Sequence, residues 1–164
     1  MRTSVAPTSP SSQLPRLGPR LATLGYTYEP PSPQLESMLA SDPVEGLTQV
    51  CNFTVMRKGV GQVRWLRPVD VTRIDLDRIV SIEPGEVCCY MDAEKPPVGQ
   101  GLNTDAEVTL YNVYKIDKET QLPVMEGPAV LKWEKALRAM CAKMGAKFVF
   151  YKPDGGVWKF EVGV

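Results

Sequence analysis

Four cysteines, nineteen acidic and nineteen basic side chains, and no histidine are the groups from which this 164-residue chain could build a reactive site. Without imidazole there is no Ser-His or Cys-His nucleophile pair, no His-ligated metal and no imidazole general base, which excludes most hydrolase mechanisms. The thiols do not fill that gap. Cys51, Cys88, Cys89 and Cys141 match the spacing of neither a zinc knuckle nor a small disulfide framework. Cys88 and Cys89, adjacent in a predicted strand, point to opposite faces and cannot hold one ion together. All four read as buried free thiols in a reducing, intracellular compartment, and no metal or cofactor is expected. The carboxylate pairs Asp75 with Asp77 and Asp92 with Glu94 adjoin turns and have no third group to perturb them, so they are expected to be solvated or capping.

Two stretches could bind without reacting. Arg57, Lys58, Arg64, Arg67 and Arg73 surround Trp65 with only Asp70 opposing them. One aromatic among scattered arginines makes no stacking platform for RNA, so the run reads as a solvated face, with Arg57, Lys58 and Arg64 a candidate contact face for an acidic protein partner. The second stretch, Lys95-Pro96-Pro97-Val98-Gly99-Gln100-Gly101-Leu102-Asn103, joins two rigid prolines to two permissive glycines. It has neither the Gly-Lys-Ser/Thr ending of a phosphate loop nor the three glycines of a dinucleotide loop. It is either an ordinary strand connection or a shaped binding loop.

The elements that must position these residues follow from composition and periodicity. The formal charges cancel, no apolar run reaches the ~20 residues of a membrane span, and the N-terminus lacks the apolar core of a signal peptide, so the expectation is a soluble protein without membrane insertion. Residues 1–33 hold seven of the fifteen prolines. Residues 1–23 are therefore expected to be a flexible Pro/Ser-rich tail, with order beginning near Leu24 and one mildly acidic domain over 24–164. Ser32-Pro33 predicts a helix opening that Asp42-Pro43 closes. Period-two alternation places strands around Phe53 and Val55, Val63 and Trp65, Ile79 to Ile82, Val87 to Met91, and Glu107 to Tyr111. A helix is predicted from about Pro128 to Met144, with Val130, Trp133, Leu137, Met140 or Cys141, and Met144 on its core stripe and Gly145 as its left-handed cap. A hairpin turning at Asp154-Gly155-Gly156 closes the chain. Together these predict an α+β fold, mainly antiparallel β-sheet in a half-open sandwich with flanking helices.

The loop from Lys95 to Asn103, with Arg57-Lys58-Gly59-x-Gly61, the run from Val69 to Ile82, the Ala106–Leu110 strand and the closing Lys152-Pro153 to Trp158-x-Phe160-x-Val162 segment, resembles one family in residues and in order. That family is the nucleoporin autopeptidase domain, the C-terminal domain of the ninety-eight-kilodalton GLFG nucleoporin and its relatives. The resemblance spans about residues 24 to 164 and implies a location in the nucleus at the nuclear pore complex. It also implies partners among other nucleoporins, namely a β-propeller nucleoporin and a coat-complex nucleoporin segment, and no small-molecule substrate. The implied partner-binding residues are Lys95, Pro96, Pro97, Val98, Gly99, Gly101, Leu102 and Asn103. In cleaving members the last strand runs Trp-x-Phe-x-Val-x-His-Phe-Ser, with histidine activating serine. Counting from Trp158 puts Val164 in the histidine position, and the Phe-Ser bond is not in this chain. Valine accepts no proton, so the expectation is an anchoring domain with no catalytic residue. The alternatives are an active autopeptidase that cleaves its own precursor and an RNA-binding domain.

Overall fold

A computed structural model describes residues 14–91 and 93–163; what was expected of residues 1–13, Asp92 and Val164 lies outside the described residues. Six strands form one antiparallel sheet: β1 (Tyr26–Glu29), β2 (Thr54–Arg57), β3 (Gly61–Trp65), β6 (Ala106–Leu110), β8 (Val157–Val162) and β7 (Ala146–Lys152), in that spatial order. Strands β4 (Val80–Glu83) and β5 (Glu86–Cys89) pair separately as a hairpin. Helices α1 (Leu14–Leu17), α2 (Ser32–Ser41), α3 (Leu76–Ile79) and α4 (Pro128–Met144) flank the sheets. The result is the expected open α+β architecture.

One face of the large sheet is apolar because alternate residues stack in register across it. Val55, Val63, Val108, Phe160 and Phe148 form one cross-strand row, and Trp65, Ala106, Val162 and Ala146 form the next. The opposite face carries Arg64, Glu107 and Glu161 in register, and β3 alternates cleanly between buried and half-buried positions. Gly61 has a packing reason: a Cβ there would lie 2.7 Å from the Thr109 carbonyl oxygen and 2.8 Å from Leu110 Cδ2. Only glycine lets β3 pass β6 at that separation.

Helix α4 has the predicted ends, with Pro128 at its start and Gly145 at φ 73°, closing it as a left-handed cap. It packs on β7, with Leu137 and Cys141 buried. Helix α2 begins at Ser32, one residue before the expected proline, because Pro31 in extended geometry holds the cap position; Asp42 ends it. The strand expected at Ile79 starts one residue later. Leu76 and Ile79, three apart and both buried, form instead the helical turn α3. Strand β5 stops at Cys89, short of the expected Met91, because Tyr90 turns at φ 61°.

Two expectations are corrected. Residues 14–23 are not detached: Arg20 N–H donates to the Ile74 carbonyl at 2.8 Å, Leu76 N–H donates to the Arg20 carbonyl at 2.8 Å, and Leu17 and Leu21 pack against the core. The described residues before Leu24 are therefore held to the domain by backbone bonds and partial burial. The cysteines are not uniformly buried either. Cys141 is buried, but Cys51 is exposed in the turn before β2, and Cys89 is exposed and Cys88 half-buried because β5 belongs to a two-stranded hairpin with an open side.

Candidate docking groove

Between α4, the β4–β5 hairpin and the apolar face of the large sheet lies a groove of about 700 Å³. Val63, Val108, Phe160 and Val162 make its floor, Met140 and Met144 one wall, and Val87, Cys89 and Tyr90 the other. The walls do not close over it: Met140 is 45% exposed, Met144 53% and Val162 38%. The groove ends at Gly163, beyond the last residue of β8.

The Lys95–Asn103 loop forms one end, and the fold holds it rigidly. Asn103 Nδ2 donates to the Pro96 carbonyl at 2.8 Å, and Gly99 N–H donates to the Asn103 carbonyl at 2.7 Å. Leu102 is clamped on both sides of its peptide: its N–H donates to the Tyr90 hydroxyl at 2.9 Å, and its carbonyl accepts from Trp65 Nε1 at 2.9 Å. Lys95, Leu102 and Asn103 line the groove, with Leu102 and Asn103 buried beneath the loop they fasten. Pro96, Pro97, Val98, Gly99 and Gly101 stand outside it, with Val98 exposed. At Gly101, φ is 56° and a Cβ would meet the Tyr90 hydroxyl at 3.1 Å, so glycine is needed for the loop's close turn.

The groove's titratable groups are set against reaction. Although Cys89 is exposed, the surrounding walls strip water from its thiol and push it up to about 11, with Cys88 adding to the shift and Lys95 opposing it. Burial likewise raises the Tyr90 hydroxyl, against the pull of the Leu102 N–H, and raises the thiol of Cys141 in the core beside the groove. All three stay protonated at neutral pH, so none is an activated nucleophile or base. Among the described residues no cluster of three or more potential metal ligands occurs, and no helix is long and apolar enough to cross a membrane. The arrangement can bind an apolar segment.

Three arginines of the basic run are paired with carboxylates of the fold. Arg57 pairs with Glu83 at 2.8 Å, Arg64 with Glu107 at 3.4 Å and Arg67 with Asp105 at 3.1 Å. Trp65 is 1% exposed, so it offers no base-stacking surface. Lys58 and Arg64 stand apart from the groove, as does Arg57, which donates to the Ile82 carbonyl at 2.7 Å. Sequence reasoning missed Met140, Met144 and the β4–β5 wall. Two methionines at the end of a helical stripe were the available signal, since flexible thioethers are common on adaptable binding surfaces.

The Nucleoporin2 family model, described as Nup98-96 autopeptidase S59, matches residues 23–163. The chain belongs to the nucleoporin autopeptidase family. It is 41% identical over 145 residues to the Drosophila melanogaster nuclear pore complex protein Nup98-Nup96, covering 87% of this chain and 7% of that protein. It is 40% identical over 147 residues to Arabidopsis thaliana NUP98A, covering 89% of this chain and 14% of that protein. The chain thus spans a small part of the relatives it matches. Its fold resembles a chain of the yeast heterotrimeric Nup82-Nup159-Nup116 nucleoporin complex with a TM-score of 0.70 and 26% identity, covering 87% of this chain and 97% of that one. It also resembles a Chaetomium thermophilum Nup145N APD mutant fused to Nup145C N, with a TM-score of 0.67 and 29% identity over 84% of this chain and 92% of that one. This nucleoporin autopeptidase-family domain is accordingly a nucleoporin of the nuclear pore complex, located at the nucleus.

Proposed function

We propose that this domain anchors its chain in the nuclear pore by docking an extended segment of another nucleoporin in the groove, and that it does so without cutting itself. The open apolar groove carries the reading: it exposes two methionines and a valine beside a rigid loop, and nothing among the described residues covers it. An apolar anchor entering there removes surface from water at about 25 cal/mol per Å². The loop is already ordered, so little conformational freedom is lost when it meets a partner.

The family resemblance supplies the partner class, a β-propeller nucleoporin with a coat-complex nucleoporin segment as the second candidate. The name of the Nup82-Nup159-Nup116 complex supports an assembly role for a similar fold. For the absence of cleavage, the support is residue identity: Val164 occupies the family's histidine position, and the chain contains no histidine elsewhere. Without a base the serine hydroxyl stays protonated and weakly nucleophilic.

Titration calorimetry with the purified β-propeller nucleoporin tests the docking site. Met140→Glu combined with Met144→Glu changes only exposed groove wall, so the domain should stay folded while affinity falls by about tenfold or more, as expected for loss of apolar anchors. Unchanged affinity in that folded variant would place the partner elsewhere.

A further inference from the structure

The N-terminal strap, residues 14–22, lies before the start of the family match at residue 23. Backbone bonds to Arg73, Ile74 and Leu76 hold Leu17 and Arg20, and at its C-terminal end the attachment converges on one carboxylate. Asp77 accepts the Ala22 N–H on both oxygens at 3.0 Å, the Thr23 N–H at 2.9 Å and the Thr23 hydroxyl at 2.6 Å. Pro19 is buried and Leu17 and Leu21 are partly buried, whereas the Asp77 bonds at the strap's end are solvent-exposed. Segments with few buried apolar contacts and solvent-exposed hydrogen bonds open at the low end of a protein's range of local stabilities. The Thr23 hydroxyl is therefore presented at the surface and freed whenever the strap opens.

The residues around it carry a second, independent signal. Arg20-Leu21-Ala22-Thr23-Leu24 places an exposed arginine three positions before an exposed hydroxyl, with an apolar residue, 94% exposed, directly after it. Kinases select substrates by charge pattern around the acceptor, and arginine at this spacing fits the acidic subsite of the arginine-directed class.

We propose that Thr23 is a phosphorylation site for an arginine-directed protein kinase and that its phosphorylation releases the strap of residues 14–22 from Asp77. In the transfer, a bond forms between Thr23 Oγ1 and the γ-phosphorus of ATP, and the bond from that phosphorus to the β–γ bridging oxygen breaks. ADP leaves, and the hydroxyl proton passes to the kinase's base and then to solvent. The product lacks the hydrogen that Thr23 Oγ1 donates to Asp77, and it brings about −1.5 to −2 charges against a carboxylate that sits 2.6 Å from that oxygen. Two anions cannot share the position, so the Ala22 and Thr23 N–H groups separate from Asp77 together. Arg20, three residues away, can pair with the phosphate in the released form. Release also changes the neighbouring surface, because Leu21 walls an open hollow of about 510 Å³ that includes Tyr26 and Tyr28.

The test treats the full chain with the catalytic subunit of cAMP-dependent protein kinase and MgATP. Intact mass and fragmentation count and locate phosphate, and hydrogen exchange then follows the strap. One phosphate is expected on Thr23, absent from Thr23→Val and reduced about tenfold in Arg20→Ala. Exchange at the Arg20, Ala22, Thr23 and Leu76 amides should then rise about tenfold or more, with the Val108 and Phe160 amides unchanged. Asp77→Ala, which removes the acceptor without any kinase, should raise exchange at the same strap amides. No phosphate at Thr23 would overturn the site; phosphate there with unchanged exchange, or an Asp77→Ala strap that exchanges as slowly as before, would overturn the release.

Discussion

The indole Nε1–H of Trp65 donates to the carbonyl of Leu102 at 2.9 Å, joining the centre of the sheet to the end of the Lys95–Asn103 loop. Trp65 is among the largest fully buried side chains, so this bond is shielded from competing water. Trp65→Phe removes the donor and leaves the buried carbonyl unpaired as well as reducing packed volume. Urea denaturation should show a loss of about 2–4 kcal/mol, from an unsatisfied polar group plus a small cavity.

Asn103 positions the loop through its bond to the Pro96 carbonyl at 2.8 Å. Asn103→Ala should cost about 1–2 kcal/mol of stability. Its more diagnostic effect is faster hydrogen exchange at the Gly99 and Gln100 amides, with the α4 amides unaffected. Equal protection in the variant would show that the prolines alone hold the loop.

The strap should also respond to acid. Partial desolvation pushes the Asp77 carboxyl upward, but the hydrogen bonds from Thr23 and Ala22 and the charge of Arg20 outweigh it and hold it below the usual carboxylate value. A carboxylate depressed in the folded state stabilises fully above its unfolded value, near 3.9, and that contribution disappears as pH falls through the folded value. Exchange at the Ala22 and Thr23 amides, corrected for the intrinsic pH dependence of exchange, should therefore be constant from about pH 7 to pH 5 and rise below about pH 4. Asp77→Asn should abolish that acid-dependent rise.

Self-cleavage is tested by extension. A chain carrying Phe-Ser and a short natural-length tail after Val164 should remain uncut for days by intact mass, because Val164 accepts no proton. Spontaneous scission at the added Phe-Ser bond would restore the autopeptidase alternative.

Much of the fold was written in local pattern. Trp158, Phe160 and Val162 alternate, and Val130, Trp133, Leu137 and Cys141 recur at helical spacing, so a strand and a helix follow from period alone. Pro128 and Gly145 mark the ends of α4 because missing donors and left-handed backbone are properties of single residues. The family was legible for a similar reason: the order of residues in the Lys95–Asn103 loop is a local signature.

Only the tertiary structure decided what those elements face. Met140 and Met144 extend the apolar side of the same helix as Leu137 and Cys141, yet they overhang a gap between α4 and the β4–β5 hairpin. Periodicity says which residues share a side of a helix, and says nothing of how far the opposing surface reaches. The arginines appeared as a patch in sequence, but their acids lie far along the chain: Glu107 is 43 residues beyond Arg64, and Asp105 is 38 beyond Arg67. The strap followed the same logic. Its proline content argued for detachment, and Asp77, 54 residues beyond Thr23, reversed that outcome by meeting backbone donors that no nearby residue satisfies.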